Sequence, residues 1–394
     1  MSEYLHVEKP FLDQLATLGW TVIDQGQGII PSNPAISLRA SFREWFLPEV
    51  FRNAVRALNR HPDGQEWLTA SQLDDLRDQL LQHPSRTLLE ANEAVHKLLF
   101  KAQVDVNELT GEPDPVVQLI DFVHPERNVF HAVNQFRIDT PGCVKSCIIP
   151  DIVIFVNGIP LVVVEAKIGD PNTANPMHAA YEQLLRYRNA RPETTTAGLR
   201  EGEPRLFHSN LLLVRTCGEK AEFGTVTSGH EHFSAWKDIW PESRRSYTSP
   251  LGVEREQEVM IQGLLAPDTL LDLLRTCTVF MDTDAGKRVK VICRYQQYRA
   301  ARRIVERLRT GKTAEERSGV VWHTQGSGKS LTMVFVARML RASADLADFK
   351  IVMVNDRIDL EDQLSATARL IGGKVNIIAS TAQLREHLST APPM

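Results

Sequence analysis

The sequence lacks the features that mark secreted and membrane-spanning proteins. Its five cysteines are odd in number and scattered, and the one close pair, Cys143 and Cys147, has no second pair to complete a zinc site. Neither a disulfide framework nor structural zinc is therefore indicated. No apolar run approaches membrane-spanning length, and the N-terminus shows no cationic stretch leading into an apolar core, so we expect no secretory signal. Together these absences predict a cytoplasmic protein with reduced thiols.

A strong excess of positive charge is also absent. The 394 residues carry 45 lysines and arginines against 49 acidic residues, giving a net charge of −4. A nucleic-acid enzyme is expected to carry a basic footprint, and this chain shows one only in local clusters such as residues 287–303. Length and composition otherwise fit a globular protein of two or three domains.

The most informative segment is IIPDIVIFVNGIPLVVVEAK, residues 148–167. Two apolar runs flank the turn-forming residues Asn157, Gly158 and Pro160, which is the pattern of a β-hairpin. The second run is apolar on both faces, so we expect its strand to be buried.

Three charged residues lie at the outer ends of the two predicted hairpin strands. Asp151 stands at the start of the first predicted strand, while Glu165 and Lys167 are two residues apart and share one face of the second. Two carboxylates and a lysine on one face of a sheet predict a Mg²⁺-dependent phosphodiesterase site. The alternative, solvated polar positions on a half-buried strand, is weak because a nearly buried acid and base need partners.

A second pattern occupies residues 319–340, with a predicted strand at Gly319–Trp322, a loop, and a helix from Lys329. The loop matches the end of the phosphate-binding pattern, in which backbone N–H groups surround phosphates, the lysine reaches the β and γ groups, and a hydroxyl meets Mg²⁺. His323 replaces the usual first glycine. A glycine-containing loop without nucleotide is the alternative. The predicted ATP-binding residues are Gly326, Ser327, Gly328, Lys329 and Ser330.

Together, these motifs resemble the restriction (motor and nuclease) subunit of type I restriction–modification systems over nearly the whole chain. The resemblance implies that Asp151, Glu165 and Lys167 are a PD-(D/E)xK nuclease triad. It also implies that Glu8 is an additional metal ligand, and that Gln183 and Tyr187 form a Q-x-x-x-Y element. Tyr187 could instead belong to the core, and Glu8 could serve the dipole of the first helix.

The same resemblance extends to the helicase part. HTQGSGKS is similar to motif I of superfamily 2, and residues 294–308 resemble an adenine-sensing element with Arg294 and Gln297 as base contacts. A solvated helix face would explain Gln297 almost as well. Residues 354–364 are similar to the next helicase segment, with the matching positions Asp356, Arg357, Asp359 and Gln363.

The predicted fold class is α/β, in three parts. Residues 1–235 are expected to form a PD-(D/E)xK endonuclease domain with a helical N-terminal part, and residues 236–285 a helical connector. Residues 286–394 are expected to begin a RecA-like lobe, incomplete here, in which strands at 350–354 and 374–380 join a parallel sheet.

The resemblance implies Mg²⁺-dependent cleavage of unmodified double-stranded DNA, coupled to ATP-driven translocation, in the prokaryotic cytoplasm. Methyltransferase and specificity subunits would be the partners. An acidic Walker B element and arginine fingers are not found, so ATPase activity is not expected from this polypeptide alone. The alternatives are a helicase–nuclease of the DNA-repair type and a non-catalytic assembly module of the complex.

Overall fold

The structure, a computed structural model, describes residues 2–28, 30–83, 87–169, 174–283, 285–354, 361–372, 375–378 and 380–390. The chain divides into two compact units, Met1–Leu271 and Asp272–Met394. Within the described residues, no helix is long and apolar enough to cross a membrane. All five cysteines are free thiols, as the sequence predicts.

The first unit opens with a π-helical turn, Tyr4–Glu8, which runs directly into the first α-helix. The predicted helical N-terminal part of this unit is confirmed. Thr69 and Thr87 cap α3 and α4, where each hydroxyl accepts a hydrogen bond from a backbone N–H of the first turn. The α-helices are α1 Lys9–Thr17, α2 Pro48–Leu58, α3 Ala70–Leu81, α4 Leu88–Lys101, α5 Pro176–Tyr187, α6 Pro192–Thr196, α7 Glu256–Leu264 and α8 Pro267–Thr276, which crosses the boundary between the units.

A mixed six-stranded sheet forms the centre of the first unit, in the order β1-β4-β7-β8-β9-β10. The pairs β1–β4 and β8–β9 are parallel, and the other neighbours are antiparallel. The short strands β2–β3 and β5–β6 form two further pairs. The strands of this unit are β1 Thr21–Ile23, β2 Ala102–Gln103, β3 Val116–Val117, β4 Phe130–Asn134, β5 Ile138–Asp139, β6 Cys147–Ile148, β7 Ile152–Val156, β8 Ile159–Ala166, β9 Leu212–Thr216 and β10 Ala221–Gly224.

The predicted hairpin is confirmed as β7 and β8. Asn157 and Gly158 form the two-residue turn with φ angles of 51° and 78°, the combination that Asn-Gly favours because both positions are left-handed. Every residue of β8 is buried. The strand therefore lies inside the sheet with both faces covered, as its continuous apolar run predicts.

Pro160 lies within β8, not in the turn, which corrects one detail of the sequence interpretation. The ladder between β7 and β8 shifts register between Ile154 and Phe155, and Leu161 is the extra residue of β8 at this bulge. A bulge tolerates proline because local pairing is already interrupted.

One face of the sheet packs against α5 and the loops around it. The core on this face includes Val153 of β7, Val163 of β8, Leu213 of β9 and Leu184 of α5, all fully buried. Val163 and Glu165 are two residues apart on β8, so Glu165 points to the same face as this core.

The second unit contains an antiparallel hairpin and several helices. Its strands are β11 Thr278–Asp282 and β12 Arg288–Ile292, and its helices are α9 Tyr295–Thr310, α10 Ala314–Arg317, α11 Lys329–Ala342, α12 Glu361–Arg369 and α13 Thr381–Thr390. The segment expected as a helical connector, 236–285, thus ends in strand β11. It is divided between the two units.

The parallel sheet predicted for the second unit is not formed by the described residues. Residues 319–322, 350–354 and 375–378 have no strand partner, although their sequences are apolar. Val320, Trp322 and Val354 are 89%, 90% and 88% exposed. Apolar composition favours burial, but a β-strand also needs a neighbouring strand for its backbone hydrogen bonds. These segments have no such neighbour in the part of the chain described here.

The close packing of the hairpin turn against the start of α2 can be tested by substitution. A Cβ on Gly158 would lie 2.5 Å from Leu47 O and 2.8 Å from Phe51 N, whereas Gly142 has nearly the same φ and open space around it. Gly158→Ala is expected to lower the free energy of unfolding by about 1–3 kcal/mol more than Gly142→Ala. Urea unfolding of both variants measures the difference, and equal losses would show that the turn is not held against α2.

Candidate functional site

The β7–β8 hairpin brings the three predicted residues together at one end of the sheet. Asp151 immediately precedes β7, and its Oδ2 accepts a hydrogen bond of 2.8 Å from the backbone N–H of Ala166 on β8. Lys167 immediately follows β8, and its backbone N–H donates to Thr216 O of β9 at 2.9 Å. The backbone positions of these residues are therefore fixed by the sheet.

The ammonium group of Lys167 lies among the carboxylates. Its Nζ is 2.8 Å from Glu165 Oε1 and 3.4 Å from Asp151 Oδ2, and it donates to Ala166 O at 2.6 Å. Glu165 is 1% exposed and Asp151 is 7% exposed. One cation is thus shared by two buried anions, a set that would be costly to bury if either sign were missing.

Two further carboxylates approach this group from the N-terminus. Glu8 is buried, and its Oε2 accepts a hydrogen bond of 3.1 Å from Gln135 Nε2. Oxygens of Glu3, Glu8 and Asp151 all lie within 4.8 Å of one another. Sequence reasoning included Glu8 but missed Glu3, because a five-residue spacing does not place two side chains on one face of an α-helix.

Burial and mutual repulsion perturb the acids strongly. Burial, with the charge of Asp151 added, raises the pKa of Glu8 to about 8 and that of Glu165 to about 8. Burial also raises the pKa of Asp151, and the ammonium of Lys167 opposes that effect. For Lys167, burial alone would lower the pKa, but the charges of Glu165 and Asp151 outweigh it and keep the group protonated.

The donor set fits a divalent cation. Glu165 Oε2 is buried without a hydrogen-bond partner in the described residues, and oxygens of Glu8 and Asp151 lie within 4.8 Å of one another. Buried carboxylate oxygens are the ligands that Mg²⁺ prefers, and a cation would relieve the repulsion that raises these pKa values. Asp151, Glu165 and Glu8 are the residues that could hold it.

The Q-x-x-x-Y pair lies on α5, but the two residues differ in their contacts. Tyr187 belongs to the buried core, and its hydroxyl donates to Ile149 O at 3.1 Å. Burial and the nearby charge of Glu165 raise the pKa of this phenol. Gln183 lies one helical turn earlier, is partly exposed, and forms no hydrogen bond within the described part of the chain.

The predicted phosphate-binding loop lies in the second unit, immediately before α11. Gly326 and Gly328 have φ angles of 76° and 78°, which a residue with a side chain adopts with difficulty. Lys329 is the first residue of α11, and its Nζ donates to His323 O at 3.2 Å and Thr324 O at 3.1 Å. The lysine side chain thus lies across its own loop.

This loop offers features that suit a phosphate. Ser327 Oγ is buried without a hydrogen-bond partner among the described residues, and the space where a Cβ of Gly326 would lie is empty. The loop leads directly into the N-terminus of α11, where free backbone N–H groups and the helix dipole favour an anion. Ser330 lies in the first turn of this helix.

The two predicted adenine contacts differ in their surroundings. The Gln297 Nε2 donates to Gly328 O at 3.0 Å and to Ser327 O at 3.3 Å, and Gln297 Oε1 accepts from Arg294 N at 2.8 Å. Both ends of the amide are occupied, while the Arg294 side chain is exposed. Asp356, Arg357 and Asp359 lie outside the described residues, as does the side chain of Gln363.

Comparison with known proteins identifies the family. The model of a family described as the N terminus of the type I restriction enzyme R protein matches residues 1–232. The chain belongs to this family. A second model, described as the SWI2/SNF2 ATPase, matches residues 296–394, which include the phosphate-binding loop. The chain is therefore the N-terminal portion of a type I restriction R subunit followed by the start of its helicase part.

Curated relatives are named as endonuclease subunits of type I restriction enzymes. The chain is 32% identical over 364 residues to the HindI endonuclease subunit of Haemophilus influenzae, covering 92% of this chain and 32% of that one. It is 23% identical over 413 residues to the putative MjaIXP endonuclease subunit of Methanocaldococcus jannaschii, covering 100% of this chain and 36% of the relative. The chain therefore spans about a third of the length of these R subunits.

The raised pKa of Glu8 predicts a pH-dependent stability. Because the folded pKa is about 8 and the ordinary value is 4.5, the stabilising contribution is complete below 4.5 and is lost as the pH rises through about 8. The free energy of unfolding of Glu8→Gln should therefore equal that of the wild type at about pH 5 and be higher by roughly 2–4 kcal/mol at about pH 9. Urea unfolding of both proteins at the two pH values, in a buffer that contains a chelator, measures this difference.

Glu112→Gln, at an exposed acid outside the cluster, is the control. A Glu8→Gln variant that is less stable than the wild type at the higher pH would show that Glu8 is ionised and held by hydrogen bonds instead.

Proposed function

We propose that this chain contains the DNA-cleaving site of a type I restriction enzyme, which cuts unmodified double-stranded DNA with Mg²⁺. The observation that supports this most is the convergence of Asp151, Glu165 and Lys167 at the end of β7 and β8, with the carboxylates of Glu3 and Glu8 beside them. A buried group of acids with one lysine has no evident structural purpose that apolar residues would not serve better.

In this proposal, Asp151 and Glu165 hold the cation and Glu8 completes its shell. The cation would supply charge for the phosphodiester and lower the pKa of a bound water. Tyr187 would support the site through its hydroxyl, and Gln183 would support it on the side of the DNA strand.

Lys167 acts as a hydrogen-bond donor, not as a base. Its carboxylate neighbours raise its pKa, so it stays an ammonium at neutral pH and cannot take a proton from the attacking water. It can orient that water through an N–H, and its charge can stabilise the negative charge that develops on the phosphate oxygens. The proton of the water must leave to a different acceptor.

The second unit is proposed to bind ATP, with Lys329 at the β and γ phosphates and Ser330 at the accompanying Mg²⁺. Gly326, Ser327 and Gly328 would line the phosphates. In the complete enzyme, ATP-driven translocation would move DNA to the nuclease, and methyltransferase and specificity subunits would supply sequence recognition. The family match to R subunits supports this over a helicase–nuclease of the DNA-repair type.

The metal site can be tested on this chain by calorimetric titration with Mn²⁺. Asp151→Asn and Glu165→Gln are each expected to weaken Mn²⁺ binding by at least about tenfold, because each removes one charged ligand. Asp139→Asn, which removes an acid paired with Arg137 away from the cluster, is the control and should bind normally. Binding that survives in both site variants would contradict the proposal and favour the non-catalytic assembly role.

The role of Lys167 is tested in the full-length subunit assembled with its methyltransferase and specificity partners. Lys167→Ala is expected to reduce DNA cutting by at least about a hundredfold, because the transition-state charge loses its donor. ATP hydrolysis should be unchanged, because Lys329 belongs to the other unit. Undiminished cutting by Lys167→Ala would exclude Lys167 from the site, and loss of both activities would indicate misfolding or misassembly.

A further inference from the structure

Glu3 makes contacts that no sequence motif accounts for. Its Oε1 lies 3.3 Å from Lys167 Nζ, and its Oε2 accepts a hydrogen bond of 3.1 Å from the backbone N–H of Ile168. Both oxygens are therefore engaged, one by the lysine and the other by the backbone of the next residue. Because one carboxylate contacts both the ammonium of Lys167 and the backbone of Ile168, it fixes the lysine side chain relative to its own backbone.

The π-helical turn explains how Glu3 reaches this position. In a π-helix, the backbone N–H bonds to the carbonyl five residues earlier, as Lys9 N does to Tyr4 O. Residues five apart then lie one turn above each other, and Glu3 and Glu8 are five apart. In an α-helix they would be separated by roughly 140° around the axis. The wider turn thus directs both carboxylates at Asp151.

Glu3 and Glu8 differ in what they have left to offer a cation. Among the described residues, Glu8 accepts one side-chain hydrogen bond, from Gln135 to its Oε2. Glu3 uses both of its oxygens on Lys167 and Ile168. A cation bound by Asp151 and Glu165 would compete with Lys167 for those same two carboxylates. Glu3 is the carboxylate that would still hold the ammonium.

We propose that Glu3 is a positioning residue of the nuclease site, acting through Lys167. It keeps the ammonium beside the phosphodiester when the other carboxylates are occupied by the cation. This inference rests on the proposed nuclease function, and it assigns Glu3 no part in metal binding. Lys167, held in this way, donates a hydrogen bond to a phosphate oxygen or to the attacking water, and its positive charge stabilises the negative charge there.

The test compares Glu3→Gln with Glu3→Ala, with Asp13→Asn as control. The amide of Gln can still accept from Ile168 N–H but has lost the charge that holds Lys167, whereas Ala loses both. Asp13 is also an N-terminal acid paired with a lysine, Lys9, but it lies outside the cluster. Three quantities are measured: Mn²⁺ affinity by calorimetry, the unfolding midpoint, and single-turnover DNA cleavage by the full-length assembled enzyme.

Glu3→Gln is expected to lower the cleavage rate at saturating DNA by about tenfold to a hundredfold, the loss that misplacement of a reacting group by about 1 Å produces. Its Mn²⁺ affinity and its KM for DNA should stay within about twofold of the wild type, in contrast to the Asp151→Asn variant. Glu3→Ala should lose at least as much rate, and Asp13→Asn should cut normally.

Other outcomes would overturn the inference. A fall in Mn²⁺ affinity comparable to that of Asp151→Asn would make Glu3 a metal ligand. An unchanged cleavage rate would remove Glu3 from the site. A loss of rate that only parallels a lower unfolding midpoint would make its role structural. Failure of the wild-type enzyme to bind Mn²⁺ or to cut would overturn the proposed function together with this inference, whereas normal cutting by the Glu3 variants would overturn the inference alone.

Discussion

The structure at the end of the central sheet depends on one electrostatic contact, in which a single ammonium lies between two buried carboxyl groups. Asp151 and Glu165 are almost completely removed from water, and Lys167 is within 3.4 Å of both. Burying such charges is tolerable only when partners and hydrogen bonds are in place. The backbone N–H of Ala166 supplies a partner for Asp151, and the carboxylate of Glu3, from a different segment of the chain, supplies one for Lys167.

The part of this arrangement that lies within one hairpin could be predicted from sequence. An Asn-Gly turn between two apolar runs sets a local geometry, and alternation along β8 places Glu165 and Lys167 on one face. The buried character of β8 followed from its uninterrupted apolar residues. The register with β9, which holds Lys167 through Thr216 O, is a long-range pairing that no local pattern of residues encodes.

Two features escaped sequence reasoning for different physical reasons. The contribution of Glu3 depends on a π-helical turn, whose spacing does not match the periodicity used to assign helix faces. In the second unit, three apolar segments were expected to be strands because of their composition, but they have no partner in the described residues. The glycine-containing loop and the start of α11 could be predicted because glycine and helix-start signals are local, whereas phosphate binding by this loop stays a prediction.

The bulge at Leu161 lets β8 carry one more residue than its partner without changing the faces that its later residues occupy. Phe155 pairs with Pro160 and Ile154 with Val162, so removing Leu161 would close the bulge and leave both pairs in place. Glu165 would then keep its layer. A residue inserted or deleted between Val162 and Glu165, beyond the bulge, would instead send the carboxylate into the opposite layer, although it touches no charged group.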